Sequence, residues 1–105
     1  MKFEEIPNEI QVVWKEYATA KANFERLDET KKSILAKLSS KFDGSEAFKN
    51  RKARCEVKYT DYLKTIEIAR QSELELKYKL DWLQALFEYY RSCNSLKKKE
   101  MSNFN

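Results

Sequence analysis

A single glycine, Gly44, and a single proline, Pro7, punctuate the 105 residues of this chain, and that scarcity constrains the fold more than any other feature. Sheets and α/β folds need a turn every ten residues or so, built largely from Gly, Pro, Asn and Asp. Only one credible break exists here, around Gly44, so the chain must fold into long helices. Charged residues make up 36% and hydrophobic ones 42%, a balance that fits amphipathic helices better than a dense globule or a disordered chain. A chain this short buries only about two thirds of its unfolded surface. Its core is expected to be thin, or shared with a partner.

Apolar residues recur at alternating spacings of three and four. Ile10, Val13, Tyr17, Ala20, Phe24, Leu27, Ile34 and Leu38 form one such seam, with Lys31 its one charged member and Trp14 and Leu35 beside it. Pro7, then Asn8 with Gln11 three residues on, predicts a helix from about residue 8 to 41. The segment SSKFDGSEAF contains the glycine, and Asp43 with Glu46 three residues later predicts an N-cap that restarts a helix after a tight turn over 42–45. The seam resumes from Phe48 through Cys55, Tyr59, Tyr62, Ile66, Ala69, Leu76, Leu80, Leu83, Phe87 and Tyr90, interrupted by Glu73. Glu73 marks a pairing register, a partner cation, or simply the wet edge of the seam. With no Gly or Pro over 46–95, that stretch reads as one uninterrupted helix, followed by a flexible tail over 96–105. The expected fold is a single all-α domain, an antiparallel helical hairpin of coiled-coil type, completed by a second copy or by a partner.

The second helix would be ~75 Å long against ~50 Å for the first, leaving its far end uncovered. That end holds Leu76, Tyr78, Leu80, Trp82, Leu83, Leu86, Phe87, Tyr89 and Tyr90. Tyr78, Trp82, Ala85 and Tyr89 form a second stripe off the seam. Either the segment Phe3–Ile6 folds back over part of this end, or another chain does, because large apolar patches mark interaction surfaces. The candidate partner-binding residues are Tyr78, Trp82, Leu86, Tyr89 and Tyr90. Base stacking by these aromatics fits less well, since stacking platforms usually lie on sheets or splayed loops.

The net charge is +4, and its distribution says more than its sum. Residues 1–45 are balanced and residues 61–90 are slightly acidic. Lys49, Arg51, Lys52, Arg54 and Lys58 form one basic patch, and Arg91, Lys97, Lys98 and Lys99 another. Each is either a solvated helical face or a contact for phosphates or an acidic partner. An acidic stretch between them makes continuous tracking along a phosphate backbone unfavourable, which puts direct nucleic-acid binding second to protein binding.

There is no His, which removes the usual general base and the commonest metal ligand. One Gly excludes a phosphate-cradling loop, and pairs such as Glu73/Lys77 and Glu75/Lys79 support a helix surface rather than form catalytic dyads. No catalytic residues, cofactor or metal are expected. Cys55 and Cys93 fit no redox or zinc spacing and read as reduced packing thiols. No apolar run approaches the ~18 residues that span a bilayer, so the expectation is a cytoplasmic protein without a membrane partner.

The stretch IARQSELELKYKLDWLQALFEYYRSCNSLKKKEM, with the Gly44-Ser45 turn before it, resembles the C-terminal helix of small helical proteins of bacteriophages and prophages, over roughly the last half of the chain. The matching residues are Gly44, Ser45, Ala69, Arg70, Leu80, Leu83, Arg91, Ser92 and Asn94. The resemblance implies an accessory protein of a bacterial host cytoplasm, associated with recombination or aimed at host nucleases such as CRISPR effectors. It implies a protein or nucleoprotein partner and carries over no functional residue.

Overall fold

The computed structural model describes residues 1–104. Among them there is no strand. A 3-10 turn over Phe3–Glu5 leads into α1 (Ile6–Ser39), α2 (Glu46–Arg54) and α3 (Val57–Phe104), so the expected all-α class is observed. The contacts divide the chain into two compact units, one made of Met1–Ala18 with the chain from Leu74 onward, the other of Thr19–Glu73.

In the first unit, the chain enters α1 through a tight turn. The Lys2 backbone N–H donates to the Glu5 carboxylate at 3.2 Å, and the Glu5 N–H donates to the Lys2 carbonyl at 3.0 Å. α1 begins at Ile6 rather than near Asn8, because Pro7 sits inside the first turn, where its missing N–H loses no hydrogen bond. Val13, Leu80 and Leu83 form the core, with Ile10, Tyr17 and Leu76 packed against it. Ile6, Val13 and Leu83 are completely buried. Phe3 stacks on Phe87 with ring centroids 5.4 Å apart and meets Tyr90 edge-on at 6.1 Å. Phe3 opposite Phe87 and Val13 opposite Leu80 and Leu83 make the two helical segments antiparallel.

The residues expected to overhang are therefore mostly seam. Leu76, Leu80, Leu83, Phe87 and Tyr90 pack toward α1 and its entry turn, and the Phe3–Ile6 segment does fold back over the aromatic end. The uncovered stretch starts later: from Arg91 to Met101 every side chain is exposed except the half-buried Cys93. Residues 96–104 continue α3 where a flexible tail was expected, and Asn105 lies outside the described residues.

In the second unit, the single helix expected over 46–95 is interrupted after Arg54. The Cys55 N–H bonds the Lys52 carbonyl and the Glu56 N–H bonds the Ala53 carbonyl, each at 3.1 Å, closing α2 with a 3-10 turn. The Glu56 carbonyl then accepts from Tyr59 and Thr60 N–H to open α3. The charges are compatible with a helix end at this point. Arg51, Lys52 and Arg54 occupy the last turn of α2, where the helix C-terminus favours cations, and the break separates Arg54 from its like-charged i,i+4 neighbour Lys58. The N-cap of α2 is Ser45 rather than Asp43; its hydroxyl accepts from the Phe48 N–H at 3.2 Å. Gly44 before it has φ of 125°, which a residue with a side chain rarely adopts.

Leu38, Ala53 and Tyr59 form the core of this unit, with Ile34 and Leu35 packed on it. The Tyr62 hydroxyl donates to the Leu27 carbonyl and lies against Thr30 Oγ1, and the Arg70 guanidinium sits 5.5 Å from the centroid of Phe24. These contacts again run antiparallel between α1 and α3. Phe48 and Cys55, expected on the seam, are exposed because α2 turns Ala53 inward in their place. Glu73 is half-buried with no ion pair among the described residues, which is the wet-edge reading of that position.

Candidate functional site

Tyr78, Trp82, Ala85 and Tyr89 each follow a seam residue of α3 by two positions, about 200° around the helix. They therefore line the face turned away from α1. Tyr78, Trp82 and Tyr89 are 66%, 57% and 64% exposed, high values for side chains this large and apolar. Leu86 and Tyr90, the other two predicted partner-binding residues, are half-buried. Tyr90 is held between Phe3 and the edge of Tyr89, whose centroid is 5.8 Å away. The structure thus brings Tyr78, Trp82 and Tyr89 into one exposed line and draws Leu86 and Tyr90 toward the seam.

The charges beside this line are mixed. Lys79 reaches Glu9 of α1 at 3.7 Å, and Arg91 reaches Glu88 one turn back at 3.6 Å. Both are exposed pairs worth at most about 1 kcal/mol. The Tyr89 hydroxyl has its pKa raised above the ordinary value of 10.0, first by its hydrogen bond with Cys93 and next by electrostatic repulsion from that thiol group. Sequence reasoning missed Trp14. It was expected to widen the α1 seam, but it is 55% exposed and packs against Tyr17 at 5.7 Å. Its position one residue after Val13, about 100° around the helix, was the available signal.

The predicted basic residues fall in both units. In the second, Arg51, Lys52, Arg54 and Lys58 are exposed while Lys49 is half-buried, since it shares the inward side of α2 with Ala53. Lys52 lies over the Phe48 ring, 5.8 Å from its centroid. In the first, Arg91 and Lys99 line a surface groove along α3 with Ser92, Ser95 and Leu96, and Lys97 and Lys98 are exposed. Both cysteines are free thiols, and Cys55 is exposed rather than packed.

Among the described residues, no group of three or more His, Cys, Asp or Glu is placed to hold a metal ion, and no helix is long and apolar enough to cross a membrane. No protein-family model, curated protein or solved structure matches the chain.

Proposed function

We propose that this chain is a non-enzymatic helical binding protein that docks another protein through the Tyr78–Trp82–Tyr89 stripe. The observation that carries the reading is the exposure of these three aromatics in a single line, on a helix whose opposite face already makes the core. Exposed aromatics are costly to leave in water and enriched where proteins bind.

The flanks of the stripe favour a foreign partner over a second copy. Asp81 and Glu88 border it at equivalent heptad positions. Antiparallel self-pairing centred between Trp82 and Ala85 sets Asp81 near Glu88 of the other copy. Like charges at such positions select against a pairing, so the fitting partner presents an apolar helix or groove with basic flanks. We further propose, from the phage-like sequence pattern of the C-terminal half alone, a partner that processes nucleic acid, such as a host defence nuclease, a CRISPR effector or recombination machinery, in a bacterial cytoplasm.

The test is a pull-down from host-cell lysate with the wild-type chain and with Tyr78→Ser/Trp82→Ser, combined with circular dichroism. The variant should keep its helicity, because both side chains face solvent, and should lose the partner that the wild type retains. Equal retention by both proteins would overturn the reading.

A further inference from the structure

The exposed side of α2 combines cations and an aromatic ring in a way the core does not require. Phe48, Arg51, Lys52 and Cys55 recur at spacings of three and four and so share one face of the helix, where they line a groove of about 210 Å³. Phe48 is 45% exposed, although Ala53, on the opposite face, is fully buried and supplies the core contact of this helix. Arg54 and Lys58 are exposed as well, outside the lining of the groove. Among the described residues, none of Arg51, Lys52, Arg54 and Lys58 forms an ion pair with a carboxylate. Between Ala47 and Cys55 there is no acidic residue, with Glu46 and Glu56 flanking the segment on either side.

We propose that this face of α2 is a binding site for single-stranded nucleic acid, separate from the aromatic stripe of the other unit. Phosphates meet Arg51, Lys52, Arg54 and Lys58, with the arginines able to hold a phosphate by two parallel hydrogen bonds. A base stacks on Phe48, replacing the Lys52 ammonium that covers the ring and releasing it to a phosphate. Ring and cations together distinguish this site from a plain basic surface. Stacking platforms usually lie on sheets or loops, but Phe48 sits in the first turn of a short helix with its ring beside the Gly44 turn. An aromatic ring next to cations is the combination that sequence-tolerant single-strand binders use. A duplex, with its bases already stacked, gains nothing from Phe48. An acidic protein surface lacks the regular spacing of charge that phosphates have along a strand.

The test uses the full chain and a fluorescein-labelled oligothymidine of about 20 nucleotides, read by anisotropy at about 50 mM and about 200 mM salt. Four phosphate contacts on a single strand give a slope near −0.7 per contact, so affinity should fall about 50-fold between the two conditions. Replacing Arg51, Lys52 and Arg54 together by Gln, a good helix former, should abolish most of the binding and flatten the salt dependence. Phe48→Leu should weaken binding about 10-fold with the salt slope unchanged, because a stacking contact is lost and no charge is removed. The matching duplex should bind more weakly and should be indifferent to Phe48→Leu. Circular dichroism of each variant checks that α2 still folds. No binding at low salt, equal binding by the triple Gln variant, equal loss of duplex binding in Phe48→Leu, or binding only to phosphatidylserine vesicles offered in parallel would each overturn the proposal.

Discussion

Leu83 shows how much a thin core asks of one side chain. It is completely buried between the two helical segments of its unit, and truncating such a leucine costs about 2–5 kcal/mol. A domain of this size is stable by only about 5–15 kcal/mol, so Leu83→Ala should lower the thermal midpoint by about 10 °C or more, measured by circular dichroism. A shift of only a degree or two would mean that the first unit contributes little to cooperative folding. Gly44 is a second sensitive residue, for a different reason. Its φ of 125° is strained for any residue with a Cβ, and a Cβ built there lies 3.0 Å from Cδ1 of Phe48. Gly44→Ala should therefore cost about 1–3 kcal/mol, read as a lower urea midpoint with an unchanged slope. Tyr89 supplies the pH-dependent case. Its pKa is raised through Cys93, so the fold favours the neutral phenol. That contribution is present below the ordinary value of 10.0 and is lost as pH rises through the raised folded value. In Cys93→Ala, the Tyr89 ring carbon signal should titrate closer to 10; an unchanged titration would show that Cys93 does not set it.

At the level of elements, the seams were legible because burial on a helix leaves a period. Every α1 seam position from Ile10 to Leu38 is buried or half-buried, Lys31 included, and so is every α3 seam position from Tyr59 to Tyr90. The break at Cys55 was not legible from Gly or Pro. The 3-4 spacing runs through it undisturbed, since Cys55 and Tyr59 are four apart on either reading. The signal that existed was electrostatic, three cations clustered where a helix end accommodates them. The same misreading displaced the expected overhang, because residues counted as length of one helix are used by α2 and its connection. A short helix with one buried residue should open more readily than the packed core segments. The amides of α2 should exchange with deuterium faster than those of residues 76–87, and the amides of 91–101, on a helical stretch whose side chains are almost all exposed, faster than both. Uniform protection across the three segments would contradict this ranking.

For the whole molecule, the aromatic stripe was legible as residues but not as a site. Spacing alone grouped Tyr78, Trp82 and Tyr89; Tyr90 was grouped with them although its spacing also put it at the end of the seam, where Phe3 meets it, and Leu86 is half-buried beside that seam. The same stripe decides how copies of the chain meet one another. Burying Tyr78, Trp82 and Tyr89 against a second copy gains apolar contact, which opposes the repulsion that antiparallel self-pairing creates between Asp81 and Glu88. At moderate ionic strength, charges bordering such an interface are only partly screened, with a Debye length of about 8 Å, so the repulsion persists. Sedimentation equilibrium should accordingly show a 12.6 kDa monomer over a concentration range of about 100-fold. Raising the salt to about 1 M shortens the screening length to about 3 Å and strengthens apolar association, so any dimer should appear there first. Asp81→Lys, which turns the Glu88 contact from repulsive to attractive in the antiparallel pairing, should shift that dimer to lower salt. A tight dimer of the wild type at low salt would instead assign the stripe to self-assembly and remove the argument for a foreign partner.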